Sequence, residues 1–224
     1  MWIDTHCHLD APEFAKSLPN VVDQAKQSDV RAILLPAVKA ADFEQVKTIA
    51  AQYGDEIPGL VYTLGIHPLY TNQAHKADIA VLDEQITRSL DDPRFVGIGE
   101  IGLDYFVEDL DPHKQEYFFN AQLDLAQKYQ LPVVLHVRRS QDAILKSLRL
   151  RKITGGIAHA FNGSNSPPQA RFISPSGQIV DALFDIANPA SGNANDGIFK
   201  ATVTLGQFAE AGEWKLQYLL IDDN

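Results

Sequence analysis

The sequence predicts an α/β protein folded as a TIM-like (β/α)8 barrel. Apolar segments with the character of buried strands alternate with helical segments, which is typical of a parallel sheet covered by helices. An open doubly wound sheet gathers its site at one switch point, whereas a closed barrel collects residues from the carboxyl ends of many strands. Histidines lie at or just after several predicted strand ends: His6, His8, His67, His136 and His159. Their distribution favours the barrel.

The strand and helix signals alternate along residues 1–158. Strands are expected at 1–5, 31–36, 60–66, 95–99, 131–135 and 156–158. Helices are expected at 21–27, 41–53, 78–90, 113–129 and 141–148. The segment 113–129 shows the helical period most clearly, at Tyr117, Phe118, Ala121, Leu125 and Ala126.

Composition limits the class of protein. The chain has 224 residues, 45% apolar and 21% charged, which is ordinary globular composition. No apolar run reaches the length of about 18 residues that a membrane-spanning helix needs. The N-terminus lacks a basic region followed by an apolar stretch, so no secretory signal is expected. A single cysteine, Cys7, cannot form an internal disulfide and suits a reducing compartment. We expect a cytoplasmic monomer without a membrane partner.

The net charge of −10 restricts how this chain could bind a polyanion. A protein that holds nucleic acid mainly through bulk charge should be basic, and this one is acidic. Any contact with nucleic acid is therefore expected to be local and assisted by a metal.

The segment Asp4-Thr5-His6-Cys7-His8 is the first with metal-binding chemistry. Alternate side chains of a strand share a face, so Asp4, His6 and His8 are expected to point the same way. Two imidazoles on one face can bind one divalent metal, and a nearby carboxylate can orient a ligating histidine. The alternative is a polar strand end that carries two histidines by chance.

Glu100 is the second candidate, in the segment VGIGEIGLDY that follows a predicted buried strand. This segment contains G-x-G-x-x-G, but a dinucleotide fingerprint should open a helix and the residues that follow do not. An unpaired carboxylate after a buried strand would be costly, and a metal partner removes that cost. Pairing of Glu100 with an arginine or lysine is the alternative.

Two further apolar strands end on histidine, at His136 and His159. Each could be a hydrogen-bonded core histidine, but together with Glu100 they suit a metal site. Arg138 shares the face of His136 and can approach a phosphate with two hydrogen bonds. His67 follows the third strand and is expected to line the pocket or support a ligand rather than bind the metal directly.

The constellation indicates a two-metal hydrolase. Imidazoles and carboxylates suit Zn²⁺, Mn²⁺ or Mg²⁺ with positions open to water. A carboxylate such as Glu100 can bridge two ions that activate water and stabilise the leaving oxygen. No serine or cysteine nucleophile occurs in a strand-to-helix elbow such as G-x-S-x-G.

Five segments, in this order, resemble the TatD-type metal-dependent deoxyribonucleases, within the amidohydrolase-like metallohydrolases. They are IDTHCHLD (3–10), LGIHP (64–68), GEIGLDY (99–105), QLDLAQKYQLPVVLHVR (122–138) and AHAFNGS (158–164). The resemblance implies a TIM-like barrel that hydrolyses DNA phosphodiester bonds with two divalent metal ions, usually as a 3′–5′ exonuclease.

The resemblance also implies roles for particular residues. One metal would be held by His6, His8 and Glu100, and a second by Glu100, His136 and His159. Glu100 and His136 would take the catalytic roles, and Asp4 would support the ligands. The expected substrate-binding residues are His67, Asp104, Tyr105 and Arg138.

The resemblance covers residues 1–173, and residues 174–224 diverge within what we expect to be a single barrel domain over 1–224. The family has a metal-ligating Asp at the end of its last strand, and only Asp223 loosely matches it. A full barrel typically takes about 250 residues. Strands seven and eight are therefore expected to be atypical or incomplete, through a shifted reading frame after residue 173 or through divergence. If these two strands do not form, the sheet has unpaired strand edges, and we expect low stability and reduced or no activity.

Two alternatives to the nuclease remain. The acidic surface suits a small-molecule hydrolase of amidohydrolase type that uses the same barrel metals. The missing last ligand suits an inactive remnant.

Overall fold

A computed structural model of the protein describes residues 1–159, 169–176, 178–183, 191–192, 197–198 and 215–220. In chain order the strands are β1 (Trp2–Asp4), β2 (Val30–Pro36), β3 (Gly59–Leu64), β4 (Phe95–Asp104), β5 (Val133–Arg138), β6 (Gly156–His159), β7 (Gln169–Ile173), β8 (Ile179–Leu183), β9 (Ser191–Gly192), β10 (Gly197–Ile198) and β11 (Lys215–Leu220). The helices are α1 (Leu18–Gln27), α2 (Phe43–Tyr53), α3 (Ala77–Ser89), α4 (Pro112–Tyr129) and α5 (Gln141–Arg149). Short 3-10 helices lie at Pro12–Phe14, Ala40–Asp42 and Pro68–Tyr70.

The first six strands form a parallel sheet in chain order, β1 to β6. Helices α1 to α5 occupy the five connections, one in each. This is the repeating unit of a TIM-like barrel, in which all strand carboxyl ends meet at one rim. The predicted fold class is confirmed.

The sheet departs from the parallel order after β6. Strand β11 lies next to β6, parallel to it, with Leu220 beside Ala158. Strand β7 then pairs antiparallel with β11, and β8 antiparallel with β7. Among the described residues β1 and β8 are the two edges of the sheet, so the ring is open there. The expectation of atypical or incomplete C-terminal strands is confirmed, and Asp223 lies outside the described residues.

Helix α4 shows how the sequence sets an element's ends and its buried face. The side chain of Asp111 accepts hydrogen bonds from the backbone N–H groups of His113 and Lys114, at 2.9 and 3.3 Å, and Pro112 occupies the first turn. Gln130 ends the helix in the left-handed conformation, with φ of 54°. The buried side chains recur at helical spacing: Gln115, Phe118, Phe119, Gln122, Leu123, Leu125 and Ala126. This face packs on β4, so α4 supports the strand that carries Glu100.

Replacing Phe118 by alanine should destabilise the protein substantially. The ring is fully buried in the core that joins α4 to the sheet. Loss of its contacts, with a cavity left behind, should lower the free energy of unfolding by about 3–5 kcal/mol. Urea unfolding followed by circular dichroism measures this. Tyr117→Ala, at an exposed neighbour, is the matched control and should change stability far less; equal losses would contradict this packing.

The face of the sheet that carries the site has an apolar floor. Val134 and Ile157 precede His136 and His159 by two residues, so they share a strand face with them. They line an apolar cavity of 190 Å³ together with residues of β2, β3 and β4. The polar site thus lies at the carboxyl end of an otherwise apolar interior. Within the described residues no helix is long and apolar enough to cross a membrane.

Candidate metal centre

Glu100 lies at the centre of the candidate site. It belongs to β4, which runs five residues beyond the predicted strand end at residue 99, because β5 continues to pair with it from Ile101 to Asp104. The Glu100 backbone N–H donates to the carbonyl of Ala37 at the end of β2, at 3.1 Å. Its side chain is only 1% exposed. A strand from each side therefore fixes a buried carboxylate at the carboxyl-end rim.

Three ring nitrogens surround one oxygen of this carboxylate. Oε1 of Glu100 lies 2.9 Å from Nδ1 of His136, 2.5 Å from Nε2 of His159 and 3.2 Å from Nε2 of His67. His136 lies within β5, two residues before its end, His159 ends β6, and His67 follows β3. The contact between His67 and Glu100 is compatible with the supporting role expected from the sequence, which stays a prediction.

The other carboxylate oxygen faces the loop after β1. Oε2 of Glu100 lies 3.1 Å from Nε2 of His6 and 3.6 Å from Nε2 of His8. The two histidine nitrogens are 3.0 Å apart, and the His6 ring stacks on His159 with centroids 3.8 Å apart. Five imidazoles from four strand ends thus converge on one carboxylate.

The pKa directions describe a buried anion among nitrogen donors. Burial alone would raise the pKa of Glu100, but hydrogen bonds from four of the histidines, His136 foremost, hold it well below its ordinary value. Burial disfavours charge on His136, yet Glu100 and Asp104 outweigh it and raise the pKa of that ring. Burial lowers the pKa of His67, which favours its neutral form. Neutral imidazole is the form that binds a metal.

The donor set fits a divalent metal. Ligand atoms of His6, Glu100 and His159 all lie within 4.8 Å of one another, as do those of His67, Glu100 and His136. Within the described part of the chain, every ion-pair partner of Glu100 is a histidine, so no lysine or arginine neutralises it. A neutral ring has one lone pair. In His67 that lone pair is on Nδ1, which accepts from the backbone N–H of Leu69 at 3.1 Å, so its Nε2–H is directed at Glu100. Such a site suits zinc, manganese or a similar ion.

Asp104 holds the far side of the His136 ring. Its Oδ2 lies 3.0 Å from Nε2 of His136, and its Oδ1 accepts from the backbone N–H groups of Phe106 and Val107 at 2.9 and 3.2 Å. The residue is fully buried. With Nε2–H donated to Asp104, the neutral His136 ring carries its lone pair on Nδ1, where it could bind a metal; in the protonated ring Nδ1–H donates to Glu100 instead. The structure thus places Asp104 behind a histidine; its expected substrate contact stays a prediction.

The other predicted residues lie around this centre. Tyr105 donates its hydroxyl to Glu116 on α4, at 2.9 Å. Nη1 of Arg138 lies 3.9 Å from Oδ2 of Asp104, and the Arg138 side chain is about one third exposed, at 35%. The Asp4 carboxylate accepts from the backbone N–H of His6 at 3.0 Å, not from its ring.

Two buried glutamines of α4 hold the backbone beside the site, and sequence reasoning missed both. The Gln122 side chain accepts from the N–H of Ile66 at 2.6 Å and donates to its carbonyl at 3.1 Å. Gln115, two turns earlier, makes the same pair of bonds to Asp104, at 2.7 and 2.9 Å. Polar residues seven apart on an apolar helix face were the available signal, because a buried amide needs partners.

Replacing Gln122 by leucine should weaken both the fold and the site. The N–H and carbonyl of Ile66, which is 1% exposed, would lose their partners. Each unsatisfied buried group costs about 1–3 kcal/mol, and the next residue is His67. Urea unfolding and zinc titration measure the two effects. Gln52→Leu, at an exposed position of α2, should leave both unchanged. A Gln122→Leu variant with wild-type stability and zinc affinity would contradict the role of Gln122 in holding Ile66.

A glycine allows β4 and β5 to approach closely beside the site. Gly102 has φ of 151°, and a Cβ there would lie 2.0 Å from the carbonyl oxygen of His136. No side chain fits without moving the histidine. This close approach explains in part why glycines flank Glu100.

A cleft opens beside the centre. It has a volume of 440 Å³ and is lined by residues of the loops after β1, β2 and β3, including His8, His67, Lys39 and Tyr70. Nζ of Lys39 lies 5.4 Å from the Tyr70 ring centroid. Asp10 and Asp42 also line it, and burial raises the pKa of both carboxyls. The cleft is large enough for a small-molecule group or one end of a polymer.

Comparison with known proteins decides the family. The family described as TatD related DNase matches residues 3–174. The chain belongs to this family. The predicted resemblance is confirmed, including its limit, since the match ends one residue after the point expected from the sequence.

Relatives within the TatD family carry two kinds of name. An uncharacterized metal-dependent hydrolase of Haemophilus influenzae is 37% identical over 172 residues, which are 73% of this chain and 63% of that protein. A protein named 3'-5' ssDNA/RNA exonuclease TatD, from Erwinia tasmaniensis, is 31% identical over 185 residues, which are 80% of this chain and 69% of that protein.

Solved structures of the TatD family show the same architecture. The crystal structure of YjjV, a TatD homolog from Escherichia coli K12, matches with a TM-score of 0.66 and 34% identity, over 73% of this chain and 61% of that chain. A TatD family hydrolase from Entamoeba histolytica matches with a TM-score of 0.63 and 26% identity, over 73% and 59%. This chain spans less than two thirds of the length of the Haemophilus hydrolase and of YjjV.

Proposed function

We propose that the protein is a metal-dependent hydrolase of nucleic-acid phosphodiester bonds, acting on single-stranded DNA from its 3′ end. The observation that carries the proposal is the buried Glu100 carboxylate with five imidazole nitrogens within 3.6 Å. The names of the TatD exonuclease relatives support the substrate class. Localisation in the cytoplasm, a monomeric state and a single domain over 1–224 stay predictions.

The proposed roles follow from the contacts. Glu100 would contribute to two metal sites, one with His6, His8 and His159 and one with His136, beside which His67 lies. The family resemblance instead implies that His159 joins His136. A divalent ion bound there would supply Lewis acidity and lower the pKa of a coordinated water. Asp104 keeps the lone pair of His136 directed at the centre, and Arg138 binds a substrate phosphate oxygen at the rim.

The tests are metal analysis and a substrate panel on the purified chain. Two ions per chain by elemental analysis are expected, and loss of activity on chelation with recovery on adding Mn²⁺, Mg²⁺ or Zn²⁺. Single-stranded DNA labelled at the 5′ end should shorten stepwise, which shows removal of nucleotides from the 3′ end. If DNA stays intact with each of these metal ions, the proposed nuclease function is wrong.

The small-molecule hydrolase is the second candidate, favoured by the net charge of −10 and by the three acidic side chains that line the cleft, Asp10, Glu13 and Asp42. A panel of carboxylic esters, lactones and amides separates the two functions. Turnover of these with intact DNA would establish the alternative, and metal binding without turnover of any substrate would indicate an inactive remnant.

A further inference from the structure

An arginine pair on one phenylalanine ring lies beside the metal centre and is not used by it. The guanidinium carbons of Arg138 and Arg139 lie 3.9 and 4.6 Å from the centroid of the Phe106 ring. The ring is 43% exposed at the start of the loop after β4. Contacts of this length are cation–π interactions, and here two cations share one ring.

The pair has more positive charge than its surroundings neutralise. Arg138 approaches Asp104 at 3.9 Å, but that carboxylate already serves His136 and two backbone N–H groups. In the described ranges of the chain Arg139 forms no ion pair. Two neighbouring like charges repel, and an anion between them removes the repulsion.

Arg139 is also held in an unusual backbone conformation. Its φ of 52° lies in the left-handed region, which residues other than glycine rarely adopt. Ser140 follows and anchors the turn by donating its hydroxyl to the carbonyl of Leu103 at 2.7 Å. The turn brings Arg139 back onto Phe106 instead of letting it extend into solvent, so the local fold places both guanidinium groups together.

The arginine pair lies at the same rim of the sheet as the candidate metal centre. Arg138 and Arg139 come two and three residues after His136, at the carboxyl end of β5. The sequence of contacts runs from Glu100 through His136 and Asp104 to Arg138. A nucleic-acid strand with one phosphate at the metal centre would extend past Arg138 and Arg139 at this rim.

We propose that Arg138, Phe106 and Arg139 form a second phosphate subsite that binds the phosphodiester next to the one being cleaved. This rests on the proposed function and specifies its substrate as a nucleic-acid strand with several phosphates, not a simple phosphate ester. Guanidinium groups suit the role because their planar N–H donors match phosphate oxygens. Phe106 holds them in place and restricts their rotation, which lowers the entropy lost on binding.

The test compares Arg139→Gln with the wild-type chain in binding and in cleavage. Fluorescence anisotropy with a labelled single-stranded DNA decamer in EDTA measures binding without metal. The variant should bind about tenfold more weakly, the effect of one charge-assisted contact. The slope of log affinity against log salt should become shallower by about 0.7, as expected for one phosphate contact on a single strand. Cleavage with Mn²⁺ should show a loss of kcat/KM that grows from a single-phosphate diester to the decamer.

Arg149→Gln is the matched control. It removes an exposed arginine from the last turn of α5, which runs back from the carboxyl end of β5 toward the start of β6 and so ends at the opposite rim. This variant should match the wild type in affinity, salt slope and cleavage. Phe106→Leu, which keeps both charges and removes the ring, should weaken binding of the decamer in the same direction as Arg139→Gln.

The outcomes separate the subsite from the proposed function. If the wild type cleaves DNA and Arg139→Gln has the same kcat/KM on substrates of every length, the subsite proposal is wrong. The proposed nuclease function is unaffected by that result. A wild-type chain that neither binds nor cleaves DNA overturns both. A lower melting temperature of Arg139→Gln with an unchanged salt slope shows that the pair only braces the loop, which also overturns the subsite.

Discussion

Replacing Glu100 by glutamine should abolish metal binding and hydrolysis together. The carboxylate contacts all five histidines of the centre, from which it lies 2.5–3.6 Å. Glutamine keeps the size but removes the negative charge and turns an acceptor into an N–H donor directed at ring nitrogens. Loss of a residue that merely supports a ligand costs about 10–100-fold, so loss of Glu100 should exceed 100-fold in metal affinity and in kcat/KM.

Two measurements test the expected loss of metal binding in Glu100→Gln. Calorimetric titration of the metal-free protein with zinc gives the affinity directly. Metal that binds the folded state also raises the melting temperature of the wild type, and this rise should vanish in the variant. Glu84→Gln is the control, since that exposed carboxylate on α3 pairs with Arg88 of the same helix, away from the centre. A variant of Glu100 that still binds zinc and gains thermal stability would show that the centre does not use this carboxylate.

Local patterns in the sequence were sufficient to predict the parallel half of the fold. Val133 to Leu135 and Leu60 to Leu64 read as strands because a parallel sheet buries both faces of each strand. Such strands end at a common rim, so a histidine at each end predicts a shared site. The contacts of His136 and His159 with Glu100 follow from that rule alone.

The part of the site that the sequence did not predict depends on contacts across the chain. His67 contacts Glu100 because Gln122, 56 residues away, holds the preceding backbone. Asp104 faces His136 because β4 continues past Glu100 with a register shift between Ile98 and Ile101. The buried glutamines of α4 are visible in its helical period, but the sequence does not show which backbone they bind, because that depends on which elements pack together.

The C-terminal part was the hardest to predict for a related reason. Strand β11 pairs with both β6 and β7, and only the completed fold brings these segments together. Residues 175–177 and 188–196 carry the small and polar composition of loops, and they separate the apolar segments that form β8 and β11 from the regular strand-helix alternation of residues 1–158. Pairing with distant partners then decides strand formation more than intrinsic preference does.

Asp104→Asn should reduce activity strongly while leaving the fold intact. In the wild type the carboxylate accepts the Nε2 proton of His136, which leaves the Nδ1 lone pair facing Glu100 at 2.9 Å. Asparagine can still accept the two backbone N–H bonds through its oxygen, but it then presents an N–H to Nε2. The ring responds by moving its proton to Nδ1, and its lone pair turns away from the centre.

The expected loss of metal affinity and activity in Asp104→Asn follows from the role of Asp104 in orienting His136. Loss of a group that orients a ligating histidine costs about 10–100-fold in metal affinity or activity. Zinc titration should show the loss in affinity, and urea unfolding should show a free energy of unfolding close to the wild type. Asp124→Asn, at a carboxylate that pairs with Arg151 away from the centre, is the matched control. Wild-type zinc affinity and kcat in Asp104→Asn would mean that Asp104 does not set the tautomer of His136. A loss confined to KM would instead indicate the direct substrate contact expected from the family resemblance, because removal of an interaction made equally in the ground and transition states raises KM alone.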